Sequence, residues 1–120
     1  MYARRGLALC WTSDPRSRHS RHLEREARVT ATVAADYAAF RAIRGLQITG
    51  RASRLTDGRA AEGARALLVR RYPFLAELAS APPELRAAFE RASSYELQPE
   101  SITLIDNTRA FGYKETFRIA

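Results

Sequence analysis

Two runs of alternating side chains, RVTATVA at Arg28–Ala34 and the longer stretch Ile43–Leu55, commit this chain to sheet structure. Branched and apolar residues at every second position suit a pleated, half-buried surface. Val29, Ala31 and Val33 share one face of the first run, and Thr30 and Thr32 share the other. In the second run Leu46 and Ile48 point one way and Gly45, Gln47 and Thr49 the other, while Gly50 predicts a bulge or a strong bend. An earlier run, Gly6–Thr12, is apolar on both faces, with Leu7, Leu9 and Trp11 on one side and Ala8 and Cys10 on the other. Such a strand is usually central in a sheet or barrel. Tyr95–Ile105 and Tyr113–Ile119 read as two closing strands, joined through a turn or bulged loop in IDNTRAFGYK.

Between these strands the period changes to that of helices. Pro15 suits the first turn of a helix capped by Ser13 or Asp14 and running to about Glu26. Asp57 or Thr56 caps another, in which Ala60, Ala61, Ala64, Leu67 and Leu68 follow the 3.6-residue repeat until Tyr72-Pro73 stops it. Phe74–Leu78 is a short apolar turn, and Ala81-Pro82-Pro83 opens a further helix carrying Leu85, Ala88, Phe89 and Ala92. Ala35–Arg41, with Tyr37 and Phe40, is a short helical or looped connection. This order of elements fits a mainly β (α+β) antiparallel barrel with peripheral helices, in a single domain over 1–120. It does not fit a doubly wound sheet, and no Gly-rich phosphate loop follows any strand.

Charge and cysteine usage narrow the function classes. The formal net charge is +7, which invites a nucleic-acid reading because clustered arginines neutralise phosphates. The basic residues are instead spread from Arg4 to Arg118 and interleaved with acids, and Lys114 is the only lysine among them, so a nucleic-acid partner is disfavoured. No apolar run approaches the roughly 20 residues of a bilayer span, so no membrane partner is expected. The apolar part of MYARRGLALCW is too short for a secretory signal, and a charged segment follows it. With Cys10 as a lone cysteine, a cytoplasmic address is expected. His19 and His22 have no acidic or cysteine partner at ligand spacing, so no metal site is predicted. No Ser/His/Asp or paired-carboxylate arrangement points to hydrolysis.

The segment WTSDPRSRHSRH carries the most chemistry. It reads as a strand end, an Asp-Pro break, and a helix opening at Ser17-Arg18-His19. A helix start presents unpaired N–H groups and the positive end of the helix dipole, and a hydroxyl and a guanidinium there complete a plausible anion cradle. Together with RGLQITGRASRL it suggests a site for a small phosphorylated ligand.

These same residues resemble the pyridoxamine 5'-phosphate oxidase-like family of FMN-binding split barrels. The resemblance rests on Trp11-Thr12-Ser13 closing a strand, Ser17-Arg18-His19 at the next helix, the strand Arg28–Val33, and Arg44-Gly45-Leu46 running through to Gly50. YELQPESITLIDNTRAFGYKETFRI is similar to the family's last strands. The family's first two strands have no counterpart here, its lysine is His19, and its glutamine after Arg44 is Gly45, with Gln47 two residues on. The resemblance implies an antiparallel split β-barrel and a homodimer with FMN at the subunit interface. Ser17 and Arg18 would hold the phosphate with Ser13 and His19 beside them, Trp11 and Thr12 would line the flavin or ribityl part, and Arg44 and Gln47 would lie near the ring. The implied function is that of a flavoprotein oxidoreductase acting on a small molecule not identified by the sequence. The alternatives are a non-catalytic dimeric module binding flavin, haem or a deazaflavin, and, weakest, a basic nucleic-acid binder.

Overall fold

Gly6 sets the first apolar run off with a turn. It takes φ +60°, in the left-handed region that glycine enters without a Cβ clash. The backbone reverses there, so the strand expected over Gly6–Thr12 starts two residues later, as β2 (Ala8–Ser13), and a short β1 (Ala3–Arg5) precedes the turn. The pairing Arg5↔Ala8 leaves Gly6-Leu7 as a two-residue loop. Positive φ at its first position alone is the type II′ geometry, whose twist matches that of the strands. In this computed structural model residues 1–35 and 38–119 are described, so the expectation placed on Tyr37 lies outside the described residues.

The remaining elements are α1 (Arg18–Arg25), β3 (Arg28–Ala34), a 3₁₀ turn at Phe40–Ala42, β4 (Arg44–Arg54), α2 (Gly58–Arg71), a 3₁₀ segment at Pro73–Ser80, α3 (Pro83–Arg91), β5 (Ser93–Asp106) and β6 (Lys114–Arg118). The strands form one six-stranded sheet in the order β1-β2-β5-β4-β3, with β6 also pairing to β5. β1 with β2, β2 with β5, β3 with β4 and β5 with β6 all pair antiparallel. Among the described residues the sheet is not closed: β1 and β3 end the order without pairing to each other, so the expected barrel closure is not found. Gly50 makes no bulge either, because β3 and β4 keep one register from Arg28↔Arg51 to Ala34↔Gly45. The glycine that matters for this pairing is Gly45, where a Cβ would stand 3.0 Å from the Val33 carbonyl oxygen.

The chain divides into two compact units. The first comprises Met1–Ala27 and Ala52–Gln98. In it β2 pairs with β5 from Leu9↔Leu97 to Ser13↔Ser93, and the Leu55 N–H donates to the Ser94 carbonyl. Asp57 caps α2 by accepting from the Arg59 and Ala60 N–H groups. The expected apolar stripe then puts Ala64 and Leu68 inside. Leu68 packs with Ala3 and Leu75, and Leu67, Val69, Tyr72, Leu78 and Phe89 pack around them. The Arg65 guanidinium lies 4.8 Å over the Phe89 ring and donates to the Phe89 and Ala92 carbonyls. It thereby caps the C-terminal end of α3, where a cation is favoured.

The second unit comprises Arg28–Arg51 and Pro99–Ala120. It is sheet with little cover: β3 alternates exposed and half-buried positions, and β6 is exposed throughout. β5 pairs here with β6 from Ser101↔Arg118 to Ile105↔Lys114, and the Asn107 N–H donates to the Ile43 carbonyl. No helix among the described residues is long and apolar enough to cross a membrane.

Candidate functional site

The Asp-Pro break does not start a helix. Asp14 instead closes a turn: its carbonyl accepts the Ser17 N–H at 2.9 Å, and its carboxylate accepts the Arg16 N–H at 2.8 Å and pairs with the Arg16 guanidinium at 3.1 Å. The hydrogen bond from the Arg16 side chain, first among its causes, holds the Asp14 carboxyl below the usual carboxylate range. Helix α1 therefore opens three residues later than a start at Pro15, with Ser17 and not Ser13 or Asp14 as its cap. Ser17 Oγ accepts the Ser20 N–H, and the next backbone bond runs from the Arg21 N–H to the Ser17 carbonyl.

This geometry draws four polar side chains together. Ser17 Oγ donates to Ser20 Oγ at 2.9 Å, Ser20 Oγ donates to Ser13 Oγ at 3.2 Å, and Ser13 Oγ lies 2.6 Å from His19 Nε2. Ser17 Oγ also lies 3.3 Å from both Ser13 Oγ and His19 Nε2. Ser20 is buried, whereas Arg18 and His19 are exposed. Arg18 pairs with no acid among the described residues. The site therefore has a fixed hydroxyl floor and a guanidinium at its edge, which is chemistry suited to an anion. Ser20 was not expected in it. Its signal in the sequence is the i, i+3 spacing from Ser17, which a capping hydroxyl commonly uses.

Trp11 is half-buried opposite Tyr95, with the rings 5.9 Å apart and 14° from parallel. This cross-strand stack accounts for part of the Trp11 surface. Thr12 and Ser13 line a groove of about 450 Å³ in the first unit, together with Asp14 and the apolar side chains of Phe74, Leu78, Leu85 and Phe89. Ser13 thus belongs both to the hydroxyl cluster and to the wall of an apolar groove of ligand size. Arg44 and Gln47 stand on β4 in the second unit, both exposed. Arg44 lies 3.7 Å from the Asp106 carboxylate. The structure therefore brings Trp11, Thr12, Ser13, Ser17, Arg18 and His19 to one end of β2 in the first unit, and places Arg44 and Gln47 in the second.

A buried polar network also went unread in the sequence. Glu96, directly opposite Cys10, is paired with Arg5 and accepts from Gln98 Nε2 at 2.6 Å. The Cys10 thiol donates to the same carboxylate at 3.5 Å. Burial, reinforced by that carboxylate, pushes the Cys10 thiol up to about 11. At neutral pH it is a protonated, inaccessible group and a poor nucleophile. The glutamate in the middle of YELQ is the sequence signal for this network, but its partner Arg5 lies 91 residues away.

No protein-family model matches this chain, and no curated protein does. Solved structures do. A structure described as a heme binding protein from Mycobacterium smegmatis aligns with 98% of this chain at a TM-score of 0.71 and 17% identity. The protein Atu2129 of unknown function from Agrobacterium tumefaciens str. C58 aligns with 81% at a TM-score of 0.60 and 23% identity. The chain spans 45% of the length of the first and 38% of the second. At these identities the likeness is one of fold: the helices and antiparallel sheet of this chain are shared with larger proteins, one of them described as heme-binding.

Proposed function

We propose that this chain is a cofactor-binding module that holds FMN and serves a flavin-dependent oxidoreduction of a small molecule. The observation that carries this reading is the dual position of Ser13, which joins an anion-suited cluster to an apolar groove. A flavin mononucleotide has that polarity, with a dianionic phosphate at one end and a flat, largely apolar ring system at the other. Ser13, Ser17 and Arg18 would take the phosphate, with the head of α1 adding its dipole. The apolar groove would take part of the ring. The flavin supplies the redox chemistry when bound, and the chain's residues bind and orient it. The homodimer implied by the family resemblance remains part of this proposal, with Arg44 and Gln47 near a cofactor at a subunit interface.

Haem is the second reading, favoured by the heme-binding protein of similar fold. The groove fits it less well. Its described lining contains no histidine, cysteine or tyrosine, which leaves the Met1 thioether as the one usual axial ligand there.

The test is the visible spectrum of the purified chain after addition of FMN, or of haemin, followed by desalting. Retained flavin bands support the first reading, and a Soret band without flavin retention replaces it with the second. Arg18→Ala should weaken FMN binding by about 1.5–3 kcal/mol, the range for a hydrogen bond to a charged group. A titration showing unchanged affinity would remove Arg18 from the site.

A further inference from the structure

The turns that carry two of the most exposed large apolar side chains among the described residues are tied together by a single amide. Phe40 is 75% exposed and Phe111 80%. Both lie in the second unit, one in the 3₁₀ turn before β4 and the other in the loop between β5 and β6. Asn107 ties the two loops together: its Nδ2 donates to the Phe40 carbonyl at 2.7 Å, and its Oδ1 accepts the Gly112 N–H at 3.0 Å. Gly112 has φ +76°, a conformation that lets the chain turn back straight after Phe111. The two rings are thus presented by neighbouring, cross-braced turns.

Cations flank them in the sequence. Arg41 and Lys114 are exposed, and Arg109 is held in place by a hydrogen bond to the Tyr113 hydroxyl and by lying 5.1 Å over the Tyr113 ring. The acids among the described residues of these loops are engaged: Asp106 is buried and bonded to Thr108, and Glu115 accepts from the Tyr113 hydroxyl at 3.0 Å. We propose that this patch is a docking surface for an anionic lipid membrane, with Phe40 and Phe111 entering the headgroup region and Arg41, Arg109 and Lys114 facing lipid phosphates. Apolar insertion combined with cationic attraction is what gives an interfacial segment stable membrane contact.

Charge argues against a second copy of this chain as the occupant, since a two-fold contact would set the patch's cations against their own images. The patch escapes a reading of the sequence because Phe40 and Asn107 are 67 residues apart.

The experiment is co-sedimentation of the chain with vesicles of phosphatidylcholine containing about one third phosphatidylglycerol, beside vesicles of phosphatidylcholine alone. Binding should require the anionic lipid and should fall steeply with added salt. Phe40→Ala/Phe111→Ala should reduce the bound fraction about tenfold, with an unchanged circular dichroism spectrum. Arg41→Gln/Arg109→Gln should flatten the salt dependence. Phe111→Trp should add a tryptophan emission that shifts to shorter wavelength on anionic vesicles, a readout that needs no loss of binding. No binding to anionic vesicles, equal binding to neutral ones, or no emission shift would overturn the proposal. So would Phe-dependent dimerisation in sedimentation velocity, or Phe-dependent binding to a single-stranded oligonucleotide without vesicle binding.

Discussion

The first unit stabilises its sheet with helices, and the second leaves its sheet almost bare. In the first, α2, the 3₁₀ segment and α3 build a cluster around Leu68, and β2 and β5 carry the consecutive buried residues Ala8–Cys10 and Ser94–Leu97. Among the described residues of the second, Ile48, Gly50 and Asp106 are buried. Its apolar side chains, such as Val29, Val33, Ile102 and Leu104, stay half-exposed. Burial of apolar area is the main favourable term in folding, so the first unit should carry most of the stability. The second leaves more of its apolar surface open to solvent and should open at a lower cost.

Substitutions can break or sharpen this contrast. The largest effect is expected at Leu68, which is 1% exposed: Leu68→Ala should cost about 3 kcal/mol in denaturant unfolding. Leu104→Ala in the second unit should cost about 1 kcal/mol. Equal losses would mean that the second unit is buried in the working state of the protein, against a subunit or a further segment.

A smaller effect separates the units by chemistry. Cys10 should react with a maleimide only as the first unit unfolds, whereas a Thr32→Cys thiol, exposed on β3, should react at once. The raised Cys10 pKa also fixes a sign. Its contribution to stability is fully present below the ordinary thiol value of 9.0 and is lost as pH rises towards about 11. A melting temperature unchanged by alkali in that window, relative to Cys10→Ala, would contradict this.

The smallest effect is confined to the second unit. The Thr108 hydroxyl, first among the causes, holds the Asp106 carboxyl below its ordinary range. The stability it contributes is present above that range and is lost as pH falls through the depressed value. The Thr108 amide resonance should therefore titrate below the usual carboxylate midpoint, and Asp106→Asn should abolish the titration.

Local signals read well in this sequence, and long-range ones did not. RVTATVA gave β3 to the residue, and the Asp57 cap with the Tyr72-Pro73 stop gave α2, because these features act over a few neighbouring residues. Gly6 displaced only the start of β2, since a glycine at the head of an apolar run looks like strand until its φ is known. Pro15 misled, because the Asp14 carboxylate binds Arg16 and uses the proline in a turn. The serine cluster was half legible: Ser17 and Ser13 were named, but their linkage through buried Ser20 needed coordinates. The Arg5–Glu96 pair and the Asn107 brace join residues far apart in sequence, and no local pattern announces either.

One feature of the strands bears on heredity. β4 and β5 each run from one unit into the other, and each unit is assembled from two separate stretches of sequence. No single crossover in a coding sequence can move one unit and leave the other behind. Pro99, which has no N–H to offer a ladder, stands at the start of the second unit's share of β5. The helical half and the open half are thus bound to be inherited, expressed and varied together, whatever each has come to bind.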